Sequence, residues 1–179
     1  MRRKIDLQYL IDQEEIRQLR HDFAWHLDTA EPDKLADLFT EDAVIEVGPW
    51  GRMEGQDAIR RGYRKMWLGT PRFNAMHAVT NGRVEIDGDE AKGSWYLLDI
   101  AARTGANENP LKLLGIYHET YRREADGWRM SSLTLQFLWA EHTGQITPDN
   151  PLTRIRRSDE ARRAAMEANA RAEAENAKP

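Results

Sequence analysis

The sequence contains no cysteine, which removes disulfides, zinc–cysteine centres and thiol nucleophiles from consideration. It also lacks any apolar run near the roughly 20 residues that a membrane-spanning helix needs. Met1-Arg-Arg-Lys4 starts like a signal peptide, but Asp6 and Asp12 interrupt the apolar stretch that would have to follow. Basic excess is missing too. The formal net charge is −4, and the segment from Arg154 onward holds seven Lys/Arg against five Asp/Glu, so residues 1–153 hold 19 against 25. An acidic body with a mixed-charge tail is a poor match for nucleic acid. The histidines at 21, 26, 77, 118 and 142 show neither HxH nor HExxH spacing, and no metal site is expected. No internal repeat is visible. These absences describe a soluble, cytoplasmic protein without a nucleic-acid, membrane or metal partner.

What is present is long alternating strands. Residues Phe73 to Ala102 read as two strands joined at Asp87-Gly-Asp89, a hairpin signal. Alternation places Phe73, Ala75, His77 and Val79 on one face of the first strand, and Gly93, Trp95, Leu97 and Asp99 on one face of the second. An ionisable group thus sits on an otherwise apolar face of each strand, where burial without a partner is costly. Upstream, Leu7, Leu10, Ile11, Ile16, Leu19, Phe23 and Leu27 recur at helical spacing. Asp28 closes that helix, where the dipole disfavours an anion. A short second helix is expected over Pro32–Phe39, a strand over Ala43–Gly48, and a third helix over Asp57–Trp67. Two further strands follow, Leu111–Arg123 and Trp128–Trp139. The fold class is therefore α+β: a curved antiparallel sheet forming a cone closed by three N-terminal helices. Residues 1–145 make the domain, and 146–179 a linker and a charged, Ala-rich helical tail.

Several short pieces in this order resemble the SnoaL-like branch of the nuclear transport factor 2-like superfamily. They are Glu15-Ile-Arg-Gln-Leu-Arg20, Leu27-Asp28, Met76-His77, Gly93-Ser-Trp-Tyr-Leu-Leu-Asp99 and Tyr117-His-Glu-Thr-Tyr121. Within that branch the sequence is similar to bile acid 7α-dehydratases, and more loosely to scytalone dehydratase and hexachlorocyclohexane dehydrochlorinase. The resemblance implies a catalytic base at His77, an orienting carboxylate at Asp28, and a second acidic catalytic or substrate-contacting group at Asp99. Where those relatives carry a tyrosine or lysine, five residues before the helix-end aspartate, this chain has Phe23. That leaves the general acid open among Tyr96, Tyr117 and His118.

A histidine held by a carboxylate is a good general base near neutral pH. The expected activity is that of a cofactor-independent lyase: a dehydratase, or an enzyme eliminating formaldehyde, acting on a steroid-like, polycyclic or diaryl substrate. Of six tryptophans, Trp50, Trp67 and Trp95, with Phe23 and Tyr117, are the expected walls for such a ligand. The alternatives are a non-catalytic small subunit of an aromatic-ring dioxygenase and a ligand-binding module of the same fold. Apolar residues on both faces of the strands, Leu114 and Ile116 opposite Leu113 and Tyr117, point to a homo-oligomer, a trimer ahead of a dimer.

Overall fold

The computed structural model describes residues 6–48, 51–69, 75–101 and 111–140. Nine elements follow one another: α1 (Leu7–Asp28), α2 (Pro32–Asp37), β1 (Phe39–Glu46), β2 (Arg52–Glu54), α3 (Gln56–Gly69), β3 (Ala75–Asp87), β4 (Glu90–Ala101), β5 (Leu111–Glu124) and β6 (Gly127–Ala140). The strands form one sheet in the order β2-β1-β6-β5-β4-β3. All neighbours run antiparallel except β1 and β6, which are parallel. The sheet is curved and unclosed, and α1 lies across it against β3 and β6. The expected tail, residues 146–179, lies outside the described residues, as do Trp50 and Phe73.

Two sequence expectations need correction. Phe39 opens β1 instead of ending the second helix: its backbone pairs with Met130 of β6 and its ring is buried. Strand pairing and burial together outweigh the helical spacing that Leu35, Leu38 and Phe39 share. The apolar stripe of α1 is also shorter than expected, since Leu7, Leu10 and Ile11 are exposed and burial begins at Ile16. At that end Asp12 turns inward instead. It accepts from Arg123 Nη2 at 2.7 Å and Trp128 Nε1 at 3.2 Å, so polar bonds anchor the first turns.

The β3–β4 hairpin sets the site. Gly88, at φ +61°, makes its two-residue turn, as the sequence suggests. From there pairing is regular up to Arg83↔Ser94, then resumes one residue out of step at Thr80↔Tyr96. Asn81 and Gly82 stand opposite Trp95 alone, which is a β-bulge. Asn81 is left-handed at φ 53°. A Cβ on Gly82 would come within 2.0 Å of the Trp95 indole, so glycine is required there. Past the bulge, His77 pairs directly with Asp99. Without the extra residue, Ile100 would stand opposite His77. The bulge brings the two ionisable groups level on the concave face.

Candidate active site

Asp28, the last residue of α1, reaches β3 with both carboxylate oxygens. Oδ1 lies 2.6 Å from His77 Nδ1, and Oδ2 accepts the backbone N–H of His77 at 3.0 Å. A carboxylate only accepts, so Nδ1 carries the proton and the basic lone pair is on Nε2. This grip also explains why an anion is tolerated at a helix C-terminus. Nε2 faces Asp99 Oδ2 across 3.6 Å, close enough for charge contact but too long for a hydrogen bond. The other Asp99 oxygen is buried with no hydrogen-bond partner among the described residues. Burial pushes the Asp99 carboxyl above its usual 3.8; His77 pulls it down and Asp28 pushes it up. The site thus holds two carboxylates in different settings, one doubly bonded to the base and one half-desolvated beside it.

The remaining expected residues divide. Phe23 is buried on α1 at the centre of an aromatic group, edge-on to Phe39 (5.8 Å), Tyr63 (6.2 Å) and Tyr117 (6.3 Å). Trp67 of α3 is partly buried and lies 5.8 Å from Tyr63. Trp95 donates its indole N–H to the Tyr121 hydroxyl at 3.0 Å and is a buried core residue over Gly82. Of the candidate acids, Tyr96 and His118 are on the exposed face of the sheet, whereas Tyr117 points into the cone. Burial pushes its phenol up to about 12.

Three inward residues carried no role in the sequence reading. Tyr63 follows Ile59 by one helical turn, and burial pushes its phenol well up. Arg20 occupies an inner position of α1 between Ile16 and Phe23 and is completely buried. Glu119 shares the inner face of β5 with Tyr117 and is 3 % exposed. For Arg20 and Glu119 the signal was a charge within an apolar stripe. Among the described residues no group of three or more His, Asp or Glu side chains is arranged to hold a metal ion, and no helix is long and apolar enough to cross a membrane.

The chain belongs to the SnoaL-like domain family, in the nuclear transport factor 2-like superfamily, matching that domain over residues 8–134. An uncharacterized protein of Mycobacterium tuberculosis is 29% identical over 119 residues, covering 66% of this chain and 80% of that protein. A protein of Novosphingobium aromaticivorans provisionally assigned as a scytalone dehydratase superposes with a TM-score of 0.66 at 25% identity, over 73% of this chain and 87% of that one. A second protein from that bacterium, provisionally assigned as an aromatic ring hydroxylase, gives 0.65 at 26%, over 79% and 96%. Hexachlorocyclohexane dehydrochlorinase LinA-type3 of Novosphingobium barchaimii shares the fold, with a TM-score of 0.67 at 21% identity, over 81% and 96%.

Proposed function

We propose that this chain is a cofactor-independent lyase in which His77 removes a proton from carbon and a leaving group departs from the neighbouring atom. The observation that carries this reading is the two-point hold of Asp28 on His77, which fixes the ring and its tautomer while Nε2 faces the second carboxyl. Names among the similar structures, a dehydratase and a dehydrochlorinase, support elimination as the reaction class.

The steps balance within the site. The substrate C–H proton passes to His77 Nε2, and Asp28 stabilises the imidazolium. Asp99, whose carboxyl burial shifts toward the protonated form, gives its proton to the departing hydroxyl, which leaves as water. The imidazolium then faces a fresh carboxylate, and returning the proton across that gap restores both groups. The aromatic group around Phe23 and Tyr63, with Trp67, favours a flat apolar substrate of the steroid, polycyclic or diaryl kind. The test is a panel of ketosteroid alcohols and diaryl hydroxymethyl compounds, followed by the absorbance of the new conjugated product. His77→Ala should lose roughly 10²–10⁴-fold in turnover. Full turnover by that variant would remove His77 from the mechanism, and tight binding without turnover by the parent protein would favour a binding module.

The convex face of the sheet supports self-association. Met76, Tyr96 and Leu98 are 53%, 47% and 38% exposed there, and a contiguous apolar patch on a sheet calls for a cover. Light scattering at micromolar concentration should report a homo-oligomer, a trimer in the first instance. Leu98→Glu should shift it toward monomer, and a monomeric parent protein would end the proposal.

A further inference from the structure

Arg20 and Glu119 have no part in the steps above, yet both are buried. Arg20 Nη1 lies 3.2 Å from Glu119 Oε1, and none of the three Arg20 nitrogens has a well-directed hydrogen bond among the described residues. A buried ion pair so short of hydrogen bonds is a poor stabiliser, and apolar residues of equal volume would hold the fold as well. The pair does have a directed continuation. Glu119 Oε2 accepts from the Tyr121 hydroxyl, and that hydroxyl accepts the Trp95 indole N–H at 3.0 Å. The relay runs from α1 through β5 to β4, and it ends on the residue that faces the β-bulge of β3.

Two glycines shape the path of that indole. A Cβ on Gly93 would come within 3.0 Å of Trp95 Nε1 and 2.9 Å of the Tyr121 ring, so the indole N–H passes over Gly93 to reach Tyr121. A Cβ on Gly82 would collide with the six-membered ring, which lies where a side chain of β3 would otherwise point inward. Trp95 therefore spans the floor from Tyr121 to the bulge. Its ring fills the inner side of the step at which Asn81 and Gly82 oppose one residue. Beyond that step the pairs are Thr80↔Tyr96, Val79↔Leu97, Ala78↔Leu98 and His77↔Asp99. Losing the bulge would slip them by one, setting Val79 against Leu98 and His77 against Ile100.

We propose that Trp95 is a positioning residue for the His77–Asp99 pair: its indole, aimed by the Arg20–Glu119–Tyr121 relay, holds the bulge and with it the strand register. The purpose of this device rests on the lyase reading, but the register is read without turnover. A buried pair that adds little stability is then retained for the one arrangement it specifies.

The chain has no cysteine, so paired cysteines can report the register. Leu98→Cys with Ala78→Cys joins residues that stand directly opposite, and in the full-length protein this pair should close in an oxidised-glutathione buffer. Leu98→Cys with Val79→Cys joins neighbours on opposite faces of the sheet, whose Cβ vectors diverge. That pair should stay open, since it meets only after a slip. Adding Trp95→Phe or Tyr121→Phe should speed its closure about ten-fold, the weight of one or two buried hydrogen bonds. Arg20→Met combined with Glu119→Gln removes the relay's anchor without stranding a charge, and should speed closure to a smaller extent. Leu133→Ala, which opens a cavity in the core on β6, is the control for general loss of stability. Closure that is unchanged in both Trp95→Phe and Tyr121→Phe, or that rises equally in Leu133→Ala at matched stability, overturns the proposal. A rise with Trp95→Phe but none with Tyr121→Phe, or none with the Arg20 and Glu119 variant, overturns the relay. Because His77→Ala is judged by turnover and the register by trapping, either reading can fail while the other stands.

Discussion

Asp28–His77 and Arg20–Glu119 both tie α1 to the sheet, one at the mouth of the cone and one at its floor, yet they are built in opposite ways. At the mouth, the Asp28 and His77 side chains keep 24% and 9% exposure, and each carboxylate oxygen has a donor. On the floor, both side chains are at 0% and the contact is an ion pair without a well-directed hydrogen bond. Partial hydration lowers the cost of changing charge, so the mouth pair can gain and lose a proton during a reaction. The floor pair cannot do so cheaply, because any change strands a charge in a desolvated place. One pair is suited to moving a proton, the other to providing a fixed field.

Breaking the mouth pair should give the largest effect. Asp28→Asn keeps the size of the side chain but removes the charge that stabilises the imidazolium, and its NH₂ can impose the wrong tautomer. Turnover should fall by up to about 10⁴-fold, the scale known for an amide replacing the aspartate of a catalytic triad. The fold should survive, with a gain of about 0.3–1 kcal/mol from removing an anion at a helix C-terminus. Turnover and thermal midpoint measured on one sample decide it. Unchanged turnover would show that Asp28 only secures the end of α1.

Breaking the floor pair should act on stability instead. Glu119→Gln alone leaves the Arg20 charge buried and unpaired, and should cost about 3–5 kcal/mol. Adding Arg20→Met should recover most of that loss, since no charge then remains to be compensated. Denaturant unfolding of the parent, the single variant and the double variant measures this directly. A double variant no more stable than the single one would mean that the pair itself holds α1 to β5.

The sequence made the mouth more legible than the floor, for a physical reason. His77 and Asp99 each interrupt an alternating apolar face, and a period of two is easily read over strands this long. Asp28 stood out at an unfavourable helix end. The register that joins these residues was not legible. It depends on the Asn81–Gly82 bulge, and that Asn-Gly pair lies inside a run that reads as one uninterrupted strand. Arg20 was hidden by its type, because an arginine on a helix is ordinarily a solvated surface residue. Only its place between Ile16 and Phe23 marked it as inward. Glu119 follows Tyr117 by two residues, so strand alternation puts both on one face, but a glutamate's partner across the sheet and helix is a tertiary fact. Tyr63 follows Ile59 by one turn of α3, which marks it as inward, but its meeting with Phe23 of α1 is a tertiary fact.

Asp99 lies between the two cases, and the smallest predicted effect belongs to it. Its carboxyl is raised above 3.8 by burial first; His77 opposes that shift and Asp28 adds to it. A carboxyl whose folded-state pKa is raised binds its proton more firmly in the folded state. In acid, below the unfolded value, both states are protonated and the group contributes nothing. As pH rises from there through the raised folded value, the folded state comes to carry an anion it solvates poorly, and stability is lost. Asp99→Asn removes that loss. The variant should gain in thermal midpoint relative to the parent as pH rises through that window, with the difference levelling off above it. Glu119 is raised for the same leading reason, but it is present in both proteins and cancels in the comparison. A variant that instead becomes progressively less stable than the parent over the same pH range would show that attraction to His77 outweighs burial. Asp99 would then be an anion at rest, and the proton for the leaving group would have to come from Tyr117 instead.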